Sequence, residues 1–404
     1  MKTDRAVHWG LGIGAVLIVA ALMWQSYAPV RPVHNLYSEI PKKWEFTADS
    51  SIKGALALAS DGTLYAASSD GFVYALDSEG NLKWKFRTGP ITANPAIGPD
   101  GTIYISDAGQ HIYAINPNGT QQWAVGGGPS AERDYQGIAP ALDRNFFYTP
   151  WGRDVHAIRL NDGNMDTVTG TYYEAGNAIT ILPTGLVEYP ARGRLQAIDS
   201  DGRIAWQYPT LTQEAIDRNG GFPPPGNFWL NSMSAVGSDG TTFACADNGR
   251  LVAIGADGLL KWEFKPKSGW SGKRAGPVIA SDGTIYLFGW TGSLYALNAD
   301  GTQKAAAQIP GDVDVTPVLA EDGTIFGVSG SKVLAISSDG KVTAEAEIGV
   351  GVTSASTIGP DGTFYVATLS GKIIALDGGH GGLMNSPWPK FQRDLANTGR
   401  AASY

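Results

Sequence analysis

A chain of 404 residues with 53 glycines, 12 tryptophans and 16 tyrosines, but only 17% charged residues, has the composition of an all-β protein rich in tight turns. Its 43% apolar content excludes intrinsic disorder, and a net charge of −8 without a basic cluster excludes a phosphate-backbone binder, so no nucleic acid is expected as a partner. The single cysteine, Cys245, excludes an intrachain disulfide and any cysteine-rich metal centre.

The first element is an uncharged apolar run at residues 9–24, WGLGIGAVLIVAALMW, preceded by Lys2 and Arg5. As a helix, this run spans about 24 Å, and its flanks bring residues 7–28 close to the ~30 Å hydrocarbon core of a bilayer. The preceding basic residues predict a cytoplasmic N-terminus and a body on the extracytoplasmic side, periplasmic or extracellular, with Trp9, Trp24 and Tyr27 at the interfaces. A cleaved signal peptide ending at Ser26-Tyr27-Ala28, and hence a secreted product, is the alternative. No cysteine follows the run, so a lipid anchor is not expected. The expected organisation is a cytoplasmic stub with membrane anchor or signal segment at 1–28, a linker at 29–40, a repeat body at 41–379 and a C-terminal tail at 380–404.

Three markers repeat along the body. Hairpin turns, usually Asp-Gly, occur at Asp61, Asp100, Asn145, Thr184, Asp239, Asp282, Asp322 and Asp361, with spacings of 39, 45, 39, 55, 43, 40 and 39. An apolar strand ending in Ala-Leu or Ala-Ile follows each, from YALD at 74–77 to IALD at 374–377. A glycine is then followed four residues later by Trp at Gly80/Trp84, Gly119/Trp123, Gly202/Trp206 and Gly258/Trp262, while later units carry Ala305 and Ala344 near the Trp position. Each unit thus reads as four short strands joined by hairpins, with Asp-Gly expected to supply two positive φ angles and alternation to place large apolar residues on one face. A sheet this small cannot bury both faces alone. Radial stacking solves that, and a β-propeller of four-stranded antiparallel blades is predicted in preference to a solenoid.

The last unit lacks an outer strand, and KKWEF at 42–46, before the first unit, copies KWKF and KWEF. Trp44 therefore belongs to a displaced strand that completes the last blade, closes the ring and sets the count at eight.

The stretch YALDSEGNLKWKF at 74–86 resembles the repeat of the quinoprotein-type, or PQQ-like, propellers. In that family an Ala-x-Asp, a Gly and a Trp pack blade against blade. The resemblance implies this docking role for Ala75, Asp77, Gly80 and Trp84, with partial copies at Ala114, Asn116, Gly119 and Trp123 and at Ala197, Asp199, Gly202 and Trp206; Trp262 and Trp44 occupy the same position. These copies have one residue fewer between Asp and Gly and lack the family's Thr. The tail at 386–400, SPWPKFQRDLANTGR, resembles a Trp-Pro-x-Phe…Asp…Thr-Gly segment of secreted proteins with these repeats, through Trp388, Pro389, Phe391, Asp394, Thr398 and Gly399. Trp388 and Phe391 are expected to anchor the tail on a propeller face, with Arg393 and Asp394 pairing nearby.

Quinone-dependent dehydrogenases of this fold use an acidic base, calcium and stacking residues. None of these carries over by motif, so no catalytic, cofactor-binding or metal residue is assigned, and PQQ and calcium are without supporting residues. The histidines at 8, 34, 111, 156 and 380 are scattered. Asp312 and Asp314, and Glu132-Arg133-Asp134, read as solvated strand starts. The informative irregularity is the 55-residue spacing between Thr184 and Asp239, an insertion holding DRNGGFPPPGNFWL at 217–230. Phe222, Phe228 and Trp229 on this proline-stiffened loop, with Trp270, Arg274 and Trp151, are the candidate contacts for a partner or ligand; a plug over the central channel is the other reading of the loop. The functional expectation is a non-catalytic, membrane-tethered scaffold that binds envelope proteins. The alternative is a quinone-dependent oxidoreductase or a polymer-acting hydrolase or lyase using the channel mouth.

Overall fold

The computed structural model describes residues 37–401 except 92, 127–139, 152–153, 169–177, 192–193, 210–233, 247–249, 267–274, 290–291, 312, 314, 350 and 353–354, and only the main chain of 150, 151, 154, 167 and 168. The chain divides into a short N-terminal unit, Met1–Ser38, and a propeller unit, Glu39–Tyr404. The membrane segment expected at 7–28 lies outside the described residues. Among those described no helix is present, and none is long and apolar enough to cross a membrane.

Seven sheets of four antiparallel strands and one of five, which carries the short extra strand Ser38–Glu39 beside Val342–Glu347, form eight blades. Blade one runs Ala57–Leu58, Leu64–Ala67, Phe72–Leu76 and Leu82–Arg87 from the inner to the outer strand. The eighth blade is built from Thr357–Ile358, Thr363–Ala367 and Lys372–Asp377, and its outer strand is Lys42–Thr47 from the start of the propeller unit. Trp44 pairs with Ala375 and Phe46 with Ile373, so the displaced strand closes the ring as its sequence implied. The chain is already tied down one step earlier, where Ile40 N–H donates to the Glu345 carbonyl at 2.8 Å on the outer strand of blade seven.

Burial follows position in the blade rather than simple alternation. The second strand of blade one, LYAA, is buried on both faces, because each blade is sandwiched between two others. Only the outer strands alternate, LKWKFR reading exposed, exposed, half-buried, exposed, half-buried, exposed.

The Asp-Gly turns differ from the expected form. Ala59 N–H donates to the Thr63 carbonyl and Gly62 N–H to the Ala59 carbonyl, which closes a three-residue turn with positive φ (83°) at Gly62 alone. Asp61 keeps an ordinary φ. Its role is to accept the Thr63 N–H at 2.9 Å through Oδ1, and the equivalent Asp does the same at Asp100, Asp239, Asp282, Asp322 and Asp361.

A bulge in the outer hairpin of every blade but the third sets one extra residue between paired ones. Leu82 faces Leu76 and Trp84 faces Ala75, leaving Lys83 between them as the extra residue. Its ammonium turns inward and donates to the Thr63 hydroxyl at 2.6 Å. Lys43, Lys261 and Lys304 hook the same turn in blades eight, five and six. Burial alone would raise the Asp239 carboxyl, but Lys261 and Thr241 outweigh it and hold it at about 2; Thr284 and Lys304 do the same for Asp282.

Candidate functional site

The residues expected to dock blades do so in a staggered way. Gly80 and Trp84 of one repeat do not meet each other. Instead each Trp lies on the glycine turn of the following blade: Trp44 on Gly80, Trp84 on Gly119, Trp123 on Gly163, Trp206 on Gly258 and Trp262 on Gly301. The indole N–H of Trp44, Trp84, Trp123 and Trp262 donates to a carbonyl of that turn, at Ser78, Pro117, Leu160 and Ala299. The other side of the ring packs on an aromatic of its own blade, as with Tyr65 on Trp84 at 5.6 Å. Asp77 shapes the turn by accepting the Glu79 and Asn81 N–H groups, and Ala75, fully buried, leaves room opposite Trp84. In blade six, where alanines replace the Trp, Ala307 closes directly onto Gly340.

The tail is the unexpected element. Its carbonyls accept the inward-pointing N–H of six inner strands in turn around the axis. Ile279 donates to Trp388 and Leu319 to Pro389, in blades six and seven. Leu58, Ile97, Leu142 and Ile181, in blades one to four, donate to Leu395, Ala396, Thr398 and Gly399. The tail therefore lines the central channel as well as packing Trp388 and Phe391 out of water. Three of its residues, Gln392, Arg393 and Asn397, hold left-handed φ angles of 60°, 67° and 55°. Asp394 accepts the Thr398 N–H and hydroxyl, and its pairing with Arg393 is present but long, at 3.4 Å.

Lys390 sits at the centre of this arrangement with no exposed surface. Its ammonium donates to the Phe391 and Asp394 carbonyls and to Asn397 Oδ1 at 2.8, 2.9 and 2.7 Å. Asn397 in turn donates to the Leu56 and Pro95 carbonyls at 3.1 Å, joining the tail to blades one and two. Burial pushes Lys390 down to about 8, and the Asp394 carboxylate works against that.

Among the described residues no group of three or more His, Cys, Asp or Glu side chains is placed to hold a metal. Glu188 in blade four is a fully buried carboxylate among the described residues. Its two oxygens accept the hydroxyls of Ser234 and Thr242 from blade five, each at 2.7 Å, and burial raises it to about 7. Glu188 faces Thr180 in the slot that Tyr65, Tyr104, Tyr286 and Tyr365 fill elsewhere. Sequence reading missed it because the Thr184 turn lacks the Asp that marks the register.

Phe222, Phe228, Trp229, Trp270 and Arg274, like Glu132–Asp134, Asp312 and Asp314, lie outside the described residues. Trp151 ends the second strand of blade three, paired with Asp154 at the hairpin end. The described surface instead offers an arc that sequence reading did not single out. Met165, Ile204 and Leu260 begin the outer strands of blades three, four and five, and with Leu259 they are exposed by 36–66%. The same position is Gln121 in blade two, Gln303 in blade six and Lys42 in blade eight, but the exposed Leu82 in blade one and the half-buried Val342 in blade seven. Exposed apolar side chains thus occupy this position on three successive blades, bounded by glutamines on blades two and six.

The family model described as outer membrane protein assembly factor BamB matches residues 23–177 and 191–359. No curated protein sequence matches the chain. Among solved structures, the fold is similar to that of BamB from Moraxella catarrhalis, with a TM-score of 0.64 at 15% identity over 83% of this chain and 99% of that one.

Proposed function

Because this chain belongs to the outer membrane protein assembly factor BamB family, we propose that it is a non-catalytic protein-interaction scaffold of the cell envelope, held on the extracytoplasmic side of a membrane by residues 7–28. The observation that carries the reading is the run of exposed apolar residues on the successive blades three to five, Met165, Ile204, Leu259 and Leu260, bounded by polar residues at the same position on the flanking blades two and six, whereas the exposed Leu82 of blade one stands apart from it. An axis occupied by the chain's own tail supports it from the other side, since a propeller enzyme needs an open channel mouth for its reacting groups. We assign partner contact to this run and to the 217–230 insertion with Phe222, Phe228 and Trp229, joined by Trp270, Arg274 and Trp151.

Crosslinking and affinity purification of the full chain from solubilised membranes test the proposal. Ile204→Lys with Leu260→Lys, and separately deletion of 217–230, are expected to lose a defined envelope protein that the unmodified chain retains. Identical partners in all three preparations would sink it. Resistance to carbonate extraction, with the body accessible to protease in spheroplasts, tests the anchoring and its orientation.

A further inference from the structure

Where a blade carries the outer-strand tryptophan, the indole closes the seam with the following blade. The same position, opposite the buried alanine of the third strand, is Asp166 in blade three, Ala305 in blade six and Ala344 in blade seven. Blade seven therefore has no indole at either of its seams. Its seam with blade six closes by direct approach of Ala307 to Gly340. Its seam with blade eight closes differently. Ile40, from ahead of the first blade, is only 5% exposed and lies in the apolar cluster that joins Ala346 and Ile348 of blade seven to Ile374 and Leu376 of blade eight. The main chain does the same. Ile40 N–H donates to the Glu345 carbonyl of blade seven at 2.8 Å, and the next carbonyl, that of Pro41, accepts the Asp377 N–H of blade eight at 2.7 Å. Two consecutive residues thus bond to two consecutive blades.

Blade seven also holds itself together less firmly. Its second strand carries Gly327 where blades one, two, six and eight have Ala66, Ile105, Leu287 and Val366, and a Cβ added there would meet no atom nearer than 3.6 Å. A glycine inside a strand forgoes packing and costs chain entropy. Without Ile40, the aromatic contact left between blades seven and eight is an inner one, Phe326 stacked on Phe364 at 4.9 Å. The outer half of the seam, from Ala344 to Ile348, relies on a residue that belongs to neither blade's own hairpins. We propose that Ile40 and Pro41 form a strap. Seated, they close the outer seam between blades seven and eight. Withdrawn, they let the outer strands of blade seven, Lys332–Ile336 and Val342–Glu347, open as a unit while the other blades stay closed. Residues 7–28, assigned above to the membrane, precede the strap in the chain, so tension on that segment bears on this seam first. The strap itself rests on contacts within the propeller unit, so its failure leaves the scaffold reading standing.

Hydrogen exchange of the detergent-solubilised full chain, read by mass spectrometry of its fragments, tests the strap. Ile40→Asp is expected to speed exchange in Lys332–Ile336 and Val342–Glu347 by about tenfold or more, with Leu251–Ile254 and Leu260–Phe264 of blade five staying within about twofold of the unmodified chain. Ile40→Val, which keeps the apolar contact, should exchange like the unmodified chain. If Ile40→Asp does not fold, Ile40→Ala takes its place, with a smaller rise confined to the same strands. A rise of equal size in blade five would make Ile40 a residue of global stability. Unchanged exchange in blade seven would leave Phe326 and Phe364 holding the seam unaided. Either result overturns the proposal.

Discussion

Trp44 presses on Gly80 so closely that a Cβ added to the glycine would fall 2.6 Å from the indole carbons Cδ2 and Cε3. This contact joins the outer strand of blade eight to blade one, where the two ends of the propeller meet. Gly80 also has a φ of +85°, so backbone and packing both demand glycine. Gly62 has nearly the same φ, +83°, but open space around it. The pair separates the two effects. Gly62→Ala should cost about 1–2 kcal/mol from the left-handed backbone alone. Gly80→Ala should cost a further ~1–3 kcal/mol from overpacking. Urea midpoints at constant slope measure both, and equal losses would mean that the indole contact contributes nothing.

Lys390 predicts a stronger effect. Its ammonium satisfies three buried acceptors, and Asn397 depends on it for orientation. Lys390→Met keeps most of the volume but leaves those acceptors unpaired. A loss of about 3–5 kcal/mol is expected, as for one half of a buried charged cluster. Because the tail lines the channel, proteolysis within 385–401 should accelerate before the blades unfold. Unchanged protease resistance would show that the main-chain bonds to the inner strands hold the tail unaided.

The legible part of this fold is the part written in local chemistry. Asp61 and its counterparts mark turns because a side-chain oxygen must meet an N–H two residues on, and that needs a fixed residue type. The closing strand was legible because Lys43 and Trp44 repeat the bulge of Lys83 and Trp84. The turn form was misjudged, since one positive φ at Gly62 suffices. The path of the tail was not legible, because it is held largely by carbonyls such as those of Leu395 and Ala396, which any residue carries. The run at Ile204 and Leu260 escaped notice because single apolar residues at a strand start mean little until adjacent blades place them together. The candidate contacts around 217–230 lie outside the described residues.

Glu188 makes stability depend on pH. Burial raises its folded-state value to about 7, above the ordinary 4.5. The folded chain therefore binds more protons than the unfolded chain between those values. The stabilisation is complete below about pH 4.5 and is lost as pH rises through 7, by up to about 1.4 kcal/mol per pH unit. Asp239 and Asp282, both held at about 2, change their contribution below this window and do not mask it. Denaturation midpoints from pH 4.5 to 7 should fall, and Glu188→Gln should flatten that slope. A slope equal in the two proteins would place the titration elsewhere.

Blade seven offers a test of the inward lysine hook. Its bulged residue is Thr343, between Val342 and Ala344, where four other blades carry the lysine. His380 from the start of the tail takes over, with Nδ1 at 2.7 Å from Asp322 Oδ2 and 3.2 Å from the Thr324 hydroxyl. Burial would raise the Asp322 carboxyl, but the Thr324 N–H and His380 outweigh it and lower it. The same turn is thus held by a residue 58 positions away in sequence rather than by its own outer strand. His380→Ala should cost about 0.5–1 kcal/mol, the scale of a half-exposed pair. Thr343→Lys supplies the missing ammonium at the loss of its bond to the Ala335 carbonyl. In the Thr343→Lys background the effect of His380→Ala should shrink, so a double-mutant cycle should return a coupling of opposite sign to the single losses. Strict additivity would mean that the two side chains do not serve the same turn, and that His380 acts only by holding the tail.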